Sequence, residues 1–193
     1  MLITDNYIRN TRLELLEKNK KILIISQYFW PENFKINDLA FHFSNINYNL
    51  DVLTGMPNYP LGKYYDGYGC FRKTNELIKN ISIYRVPIIP RGKATPLRLG
   101  LNYISFVISA TIKALLMKNK YDLIFIYEPS PITVAIPGII LKKIKQIPII
   151  FWVTDLWPES VVSAGNFKSP LIPNLLTPVV RYIYHHCDKI LVS

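Results

Sequence analysis

Cysteine is scarce in this chain: Cys70 and Cys187 lie far apart, outside any C-x-x-C or metal-type spacing. That excludes a disulfide framework and a zinc ribbon, and it fits free thiols in a reducing compartment. Acid is also in short supply. Thirteen Asp and Glu stand against 23 Lys and Arg, for a formal net charge of +10. Such a balance favours anionic partners: nucleic acid, acidic lipid head groups or phosphorylated small molecules. No G-x-G-x-x-G follows a strand pattern, so a dinucleotide fingerprint is not supported. No uncharged apolar run reaches the about 18 residues of a spanning helix. The opening MLITDNYIRNTRLELLEKNK has neither the apolar stretch nor the cleavage site of a secretory signal. His42 stands alone, and His185 and His186 diverge as helix neighbours, so all three read as structural and no metal site is expected. Internal repeats and low-complexity tracts are missing too.

What is present is enough for one domain. The 193 residues are 50% hydrophobic, which supports a sizeable core. Residues 1–20 read as a polar extension and residues 21–193 as the domain. Short β-branched runs alternate with helical patterns: KILIIS (Lys21–Ser26), LDVLTG (Leu50–Gly55), ISIYRV (Ile81–Val86), YDLIFIY (Tyr121–Tyr127), IPIIFWV (Ile147–Val153) and KILVS (Lys189–Ser193) read as strands. Helices are expected over Phe34–Asn47, with Leu39, Phe43 and Ile46 near one face, over Leu97–Lys118, and over Pro170–His186. A further helix is expected after Ser130, with that serine as cap and Pro131 at the first position, ending near Lys142, Lys143 and Lys145. The alternation predicts an α/β fold, a Rossmann-like parallel sheet with helices on both faces, whose ligands bind beyond the carboxyl ends of the strands. The pattern stops in or just after a strand, with no closing helix, an odd place for a finished protein to end.

The loops at those carboxyl ends carry the candidate chemistry. QYFWPENFKIND, after the first strand, offers Glu32 and Asn33, either as a capped helix start or as polar groups presented to an anion. GMPNYPLGKYYDGYG, after the second, is long for such a loop. Its tyrosines Tyr59, Tyr64, Tyr65 and Tyr68 either stack on sugar rings or form the loop's own core. YEPSP and TDLWPES end neighbouring strands in Glu128, Asp155 and Glu159, where carboxylates bind hydroxyls, face a developing positive charge, or simply cap helices. In Leu97–Lys118 the residues Arg98, Asn102, Ser105, Ser109 and Lys113 form one narrow polar stripe on an otherwise apolar helix. Such a helix is either buried between the sheet and other helices or offers apolar surface to a membrane or partner domain. RGKATPLR, Arg91–Arg98, suits acidic head groups, so Arg91, Lys93, Arg98, Leu101 and Phe106 are candidate membrane contacts.

SQYFWPENFKINDLA, VLTGMPNYPLGKYYDGYG, RVPIIPRGKATPLRLGLNYISFVISA, YEPSPITVAIPGIILKK and FWVTDLWPESVVSAG, in that order, resemble bacterial family-4 glycosyltransferases of the subgroup assigned to colanic acid, O-antigen and capsule biosynthesis. The resemblance runs from about Lys21 to the C-terminus and implies the N-terminal, acceptor-side half of a GT-B fold. It implies retaining transfer from a nucleotide sugar, without cofactor or metal, to a polyprenyl-linked glycan at the inner membrane surface. Catalysis would require the donor-binding half, as a continuation or a separate donor-half polypeptide. By resemblance, Asp155 takes a position near the anomeric carbon, where many relatives carry histidine. Glu32 and Asn33 belong to the loop approaching the donor phosphates, where many relatives place a glycine pair in contrast to Phe34 and Lys35. Asn58 and Tyr59 belong to the acceptor loop. The expected localisation is cytoplasmic and peripheral at the inner membrane. Two alternatives stand beside this reading: a non-catalytic membrane-associated binding module, or remnant of a truncated gene, and a basic nucleic-acid binder. The second is disfavoured because its cations are dispersed and no binding motif is present.

Overall fold

The computed structural model describes residues 20–159 and 171–192. The polar extension therefore lies outside the described residues, as do the residues just after Glu159.

Seven strands form one sheet in the order β3-β4-β2-β1-β5-β6-β7. β1 (Lys21–Ile25) is central and pairs in parallel with β2 (Asn49–Gly55) and β5 (Leu123–Glu128), Ile24 lying between Val52 and Phe125. β4 (Ile81–Val86) continues the sheet beyond β2, while β6 (Ile149–Val153) and β7 (Lys189–Val192) continue it beyond β5. Burial on both faces explains why β1 and β5 read as unbroken apolar runs. β3 (Asn75–Ile78), which the sequence pattern did not disclose, is the antiparallel exception. It folds back onto β4 through Lys79 and Asn80, whose φ values of 48° and 63° suit a two-residue hairpin turn.

α1 (Lys35–Asn45) covers one face of the sheet and packs on Ile22, Ile24, Val52 and Ile83. Its deep residues are Ile36, Asn37, Ala40 and Ser44, not the expected Leu39, Phe43 and Ile46. Small side chains at Ala40 and Ser44 let the helix approach closely, leaving Leu39 and Phe43 on its flanks and Ile46 exposed.

The other face holds α2 (Pro96–Leu116), α3 (Ile136–Lys145) and α4 (Leu171–His185) around Leu23, Ile25, Ile126 and Phe151. Thr95 caps α2, its hydroxyl accepting from the Arg98 N–H. The expected Ser130 cap is not formed. The chain first makes a 3-10 turn over Ile132–Ala135, so the cap position falls on Pro131, which has no hydroxyl, and α3 starts at Ile136 with Pro137 in its first turn. Lys142, Lys143 and Lys145 do close α3. There Lys142 Nζ donates to Asp188 at 2.6 Å and Lys145 Nζ to the Met117 carbonyl at 2.9 Å.

Candidate functional site

The strand order reverses between β1 and β5, so the loops after these strands flank the crevice where open α/β sheets bind ligands. The X-Pro bonds Trp30–Pro31, Tyr59–Pro60, Ser130–Pro131 and Trp157–Pro158, all at this edge, are cis.

On the β1 side three loops are stapled together. The Glu32 carboxylate is buried, and its Oε1 accepts from the N–H groups of Asn58 at 2.8 Å and Tyr59 at 2.7 Å. Asn58 Oδ1 accepts from Arg91 N at 3.1 Å, which ties the loop after β2 to the loop after β4. Those loops also cross at Gly62 and Gly92, where Gly92 N donates to the Gly62 carbonyl at 2.9 Å. Gly62 has a φ of +71°, and a Cβ there would stand 2.1 Å from the Gly92 carbonyl oxygen, so only glycine fits. The Arg91 guanidinium lies over Tyr59 at 5.0 Å and donates to the Tyr28 hydroxyl at 3.2 Å. Deeper in, Arg85 donates from Nε to Glu76 at 2.6 Å and from its guanidinium to the Trp30 carbonyl at 2.6 Å, with Tyr68 stacked on it.

Glu32 Oε1 and the Asn58 amide are thus spent on loop architecture, Glu32 Oε2 has no partner among the described residues, and Asn33 and Tyr59 form the exposed rim. The tyrosines of the second loop pack as its own core: Tyr64 donates to the Ile88 carbonyl, Tyr65 to the Tyr59 carbonyl, and Tyr68 to Glu76. Burial pushes Glu32 up to about 7, against the opposing pull of the Tyr59, Asn58 and Phe29 N–H groups and Arg85.

On the β5 side two acids meet, as their strand ends imply. Glu128 closes β5 and is buried, and its Oε2 accepts from the Asp155 N–H at 3.3 Å. The Glu128 carbonyl accepts from the Thr154 hydroxyl at 2.7 Å, which fastens the two strand ends. Asp155 is half-buried, and its Oδ2 accepts from Trp157 Nε1 at 3.3 Å. Glu159 is exposed. Burial first, and the Asp155 charge second, push Glu128 up to about 9. Burial and then the Glu128 carboxylate also raise Tyr184 of α4, a neighbour that no local sequence signal disclosed. Near pH 7 the pair thus combines a proton-holding carboxyl with a second acid half-open to solvent. That arrangement can hold a hydroxyl-bearing ligand from two sides or face a positive charge. Among the described residues no group of His, Cys, Asp and Glu is arranged to hold a metal ion.

α2 flanks this edge in an inverted orientation. Asn102, Phe106, Ala110 and Ala114 face the sheet, whereas Leu97, Ile104 and Ile108 are 74%, 59% and 56% exposed. Phe106 is fully buried in the core, so its assignment as a membrane contact is corrected. Leu101, Lys93 and Arg98 are exposed, and Arg91 is half-buried on its tyrosines. The polar stripe turns inward because the loop after β4 needs partners there. Asn102 Nδ2 donates to the Ile89 carbonyl at 2.6 Å, and Ser105 Oγ accepts from Ile89 N at 2.9 Å. α2 is long and apolar enough to cross a membrane by length and composition. Core helices pass the same test, and α2 packs one face on the sheet, so only its outward face bears on a partner.

Sheet, crossovers and loop-built edge together define a Rossmann-like α/β domain with its candidate site at the carboxyl ends of the strands. No protein-family model matches the chain, and no curated protein matches its sequence.

Proposed function

We propose that this chain is the acceptor-side half of a retaining glycosyltransferase, moving a sugar from a nucleotide sugar to a lipid-linked glycan at a membrane surface. One observation carries the reading. The resembling motifs, scattered through the sequence, contribute the loops after β1, β2, β4, β5 and β6, all at one edge of the sheet. Asp155 stabilises positive charge as the glycosidic bond to the nucleotide breaks, or holds a hydroxyl of the transferred sugar. Glu128 positions it, while Glu32 and Asn58 hold Tyr59 at the acceptor rim. A donor-binding half completes the cleft, and the chain alone is expected to transfer nothing.

The test is incorporation of label from radiolabelled nucleotide sugars into the lipid fraction of membranes holding the full native gene product. Asp155→Ala is expected to cut incorporation by about 100-fold or more with unchanged circular dichroism. Equal incorporation by both proteins overturns the reading. The outward apolar face of α2 also supports a second reading, a membrane-binding module without catalysis, which binds vesicles yet incorporates no label in any combination.

A further inference from the structure

Gly100 sits inside α2 without a packing reason. Glycine destabilises a helix interior relative to alanine, yet no neighbouring heavy atom lies within 4 Å of where its Cβ would stand. No described residue excludes a side chain here, so the glycine leaves open space on this side of α2. That space belongs to a groove of about 280 Å³ between α2 and the 3-10 turn, walled by Ile104 and Ile108 on one side and by Pro131, Ile136 and the Trp157 ring on the other. The Trp157 indole N–H turns away to Asp155, which leaves its ring as apolar wall. The exposed ridge of Leu97, Leu101, Ile104 and Ile108 runs alongside.

Charge narrows the occupant. α2 carries no acidic residue. Lys93 and Arg98 are exposed at the end of α2 where Gly100 lies, and Lys118 and Lys120 are exposed beyond the other end. Two copies packed through this face would bring those cations together on molecules of formal charge +10, so self-association is opposed. An apolar chain with an anionic head satisfies both features. We propose that the groove takes one hydrocarbon chain of an anionic membrane lipid, whose phosphate-type head group meets Lys93 and Arg98. The inference rests on the membrane-facing part of the function proposed above and does not depend on sugar transfer.

The experiment is a methyl-NMR titration of the protein with octyl, decyl and dodecyl phosphate, each kept below its micelle-forming concentration. The methyls of Ile104, Ile108 and Ile136 are expected to shift, while inorganic phosphate alone leaves them in place. Affinity should rise about fourfold per added methylene until the groove is full. Gly100→Leu, which fills the floor with a better helix former, should weaken decyl phosphate at least tenfold. Ile104→Ser, on an exposed wall position, should weaken it too, and Ile112→Gln, at a 55% exposed position further along α2 that does not line the groove, should leave it within twofold. Affinity independent of chain length, or Gly100→Leu binding like wild type, overturns the groove. Vesicles of phosphatidylglycerol separate this from the wider reading. Equal vesicle binding by wild type and Gly100→Leu with no chain-length effect sinks the groove alone. Chain-length-dependent occupation with no vesicle binding keeps an apolar-chain groove but overturns a membrane lipid as its occupant, together with the peripheral-membrane reading.

Discussion

Glu32 and Glu128 are the same residue type, both fully buried, both beyond or at the end of a central strand. They end up in different states. Glu32 receives two short N–H bonds and the field of Arg85, and is pushed only to about 7. Glu128 receives one long N–H bond and faces the like charge of Asp155, and is pushed to about 9. The contrast separates the two halves of the edge by role. Around Glu32, loops are fastened to loops, and the carboxylate is a structural acceptor. Each acid leaves one carboxyl oxygen without a hydrogen-bond partner among the described residues, Oε2 of Glu32 and Oε1 of Glu128, so the halves differ in the N–H bonds and charges that reach the other oxygen. A buried acid that meets a like charge in place of a cation, as Glu128 does, is costly to stability and characteristic of a working site.

The comparison can be broken most forcefully at Gly62. Gly62→Ala drives a Cβ into the Gly92 carbonyl and should cost about 3 kcal/mol in urea unfolding. A cost under about 1 kcal/mol would mean that the crossing loops are not the rigid half described here.

The next largest effect is one of pH. Each folded-state carboxyl holds its proton above the ordinary value of 4.5, so the native chain binds more protons than the unfolded chain between 4.5 and the raised value. Stability from this source is present at low pH and lost as pH rises through the folded value. Wild type should therefore lose stability relative to Glu128→Gln from about pH 5 to about 9, at a limiting slope of about 1.4 kcal/mol per unit. Against Glu32→Gln, whose amide oxygen can still accept from Asn58 and Tyr59, the same decline should level off near 7, because that is the folded value of Glu32. Unfolding curves across this range decide it, and identical pH profiles for the two variants would erase the distinction between the halves. The smallest effect belongs to Tyr65→Phe, which removes one hydroxyl donated to the Tyr59 carbonyl and should cost less than about 1 kcal/mol.

Much of the fold is legible in the sequence, because buried parallel strands declare themselves as continuous β-branched runs. KILII and IIFWV stand within a residue or two of their expected limits. β3 escapes because NELI is an edge strand with its side chains largely exposed, and its Lys79–Asn80 turn lacks the usual glycine. The acids at the strand ends are equally legible, since a strand end fixes where its next residue goes. Their partners are not. That Glu32 would reach Asn58 and Tyr59, or that Arg85 would reach Trp30, depends on loops meeting across the sheet. Phe106 fails for another reason. On a helix apolar around most of its girth, periodicity cannot tell inward from outward, and the deciding contacts lie with the backbone of Ile89.

Those contacts continue inward. Gln27, just past β1, donates to the Asn102 side chain at 2.7 Å in the buried interior. The pair acts as a key in a keyway: α2 cannot roll about its own axis without stripping an amide of its partner. Whatever the outer face of α2 rests on, the sheet edge is then presented at one fixed pitch and heading.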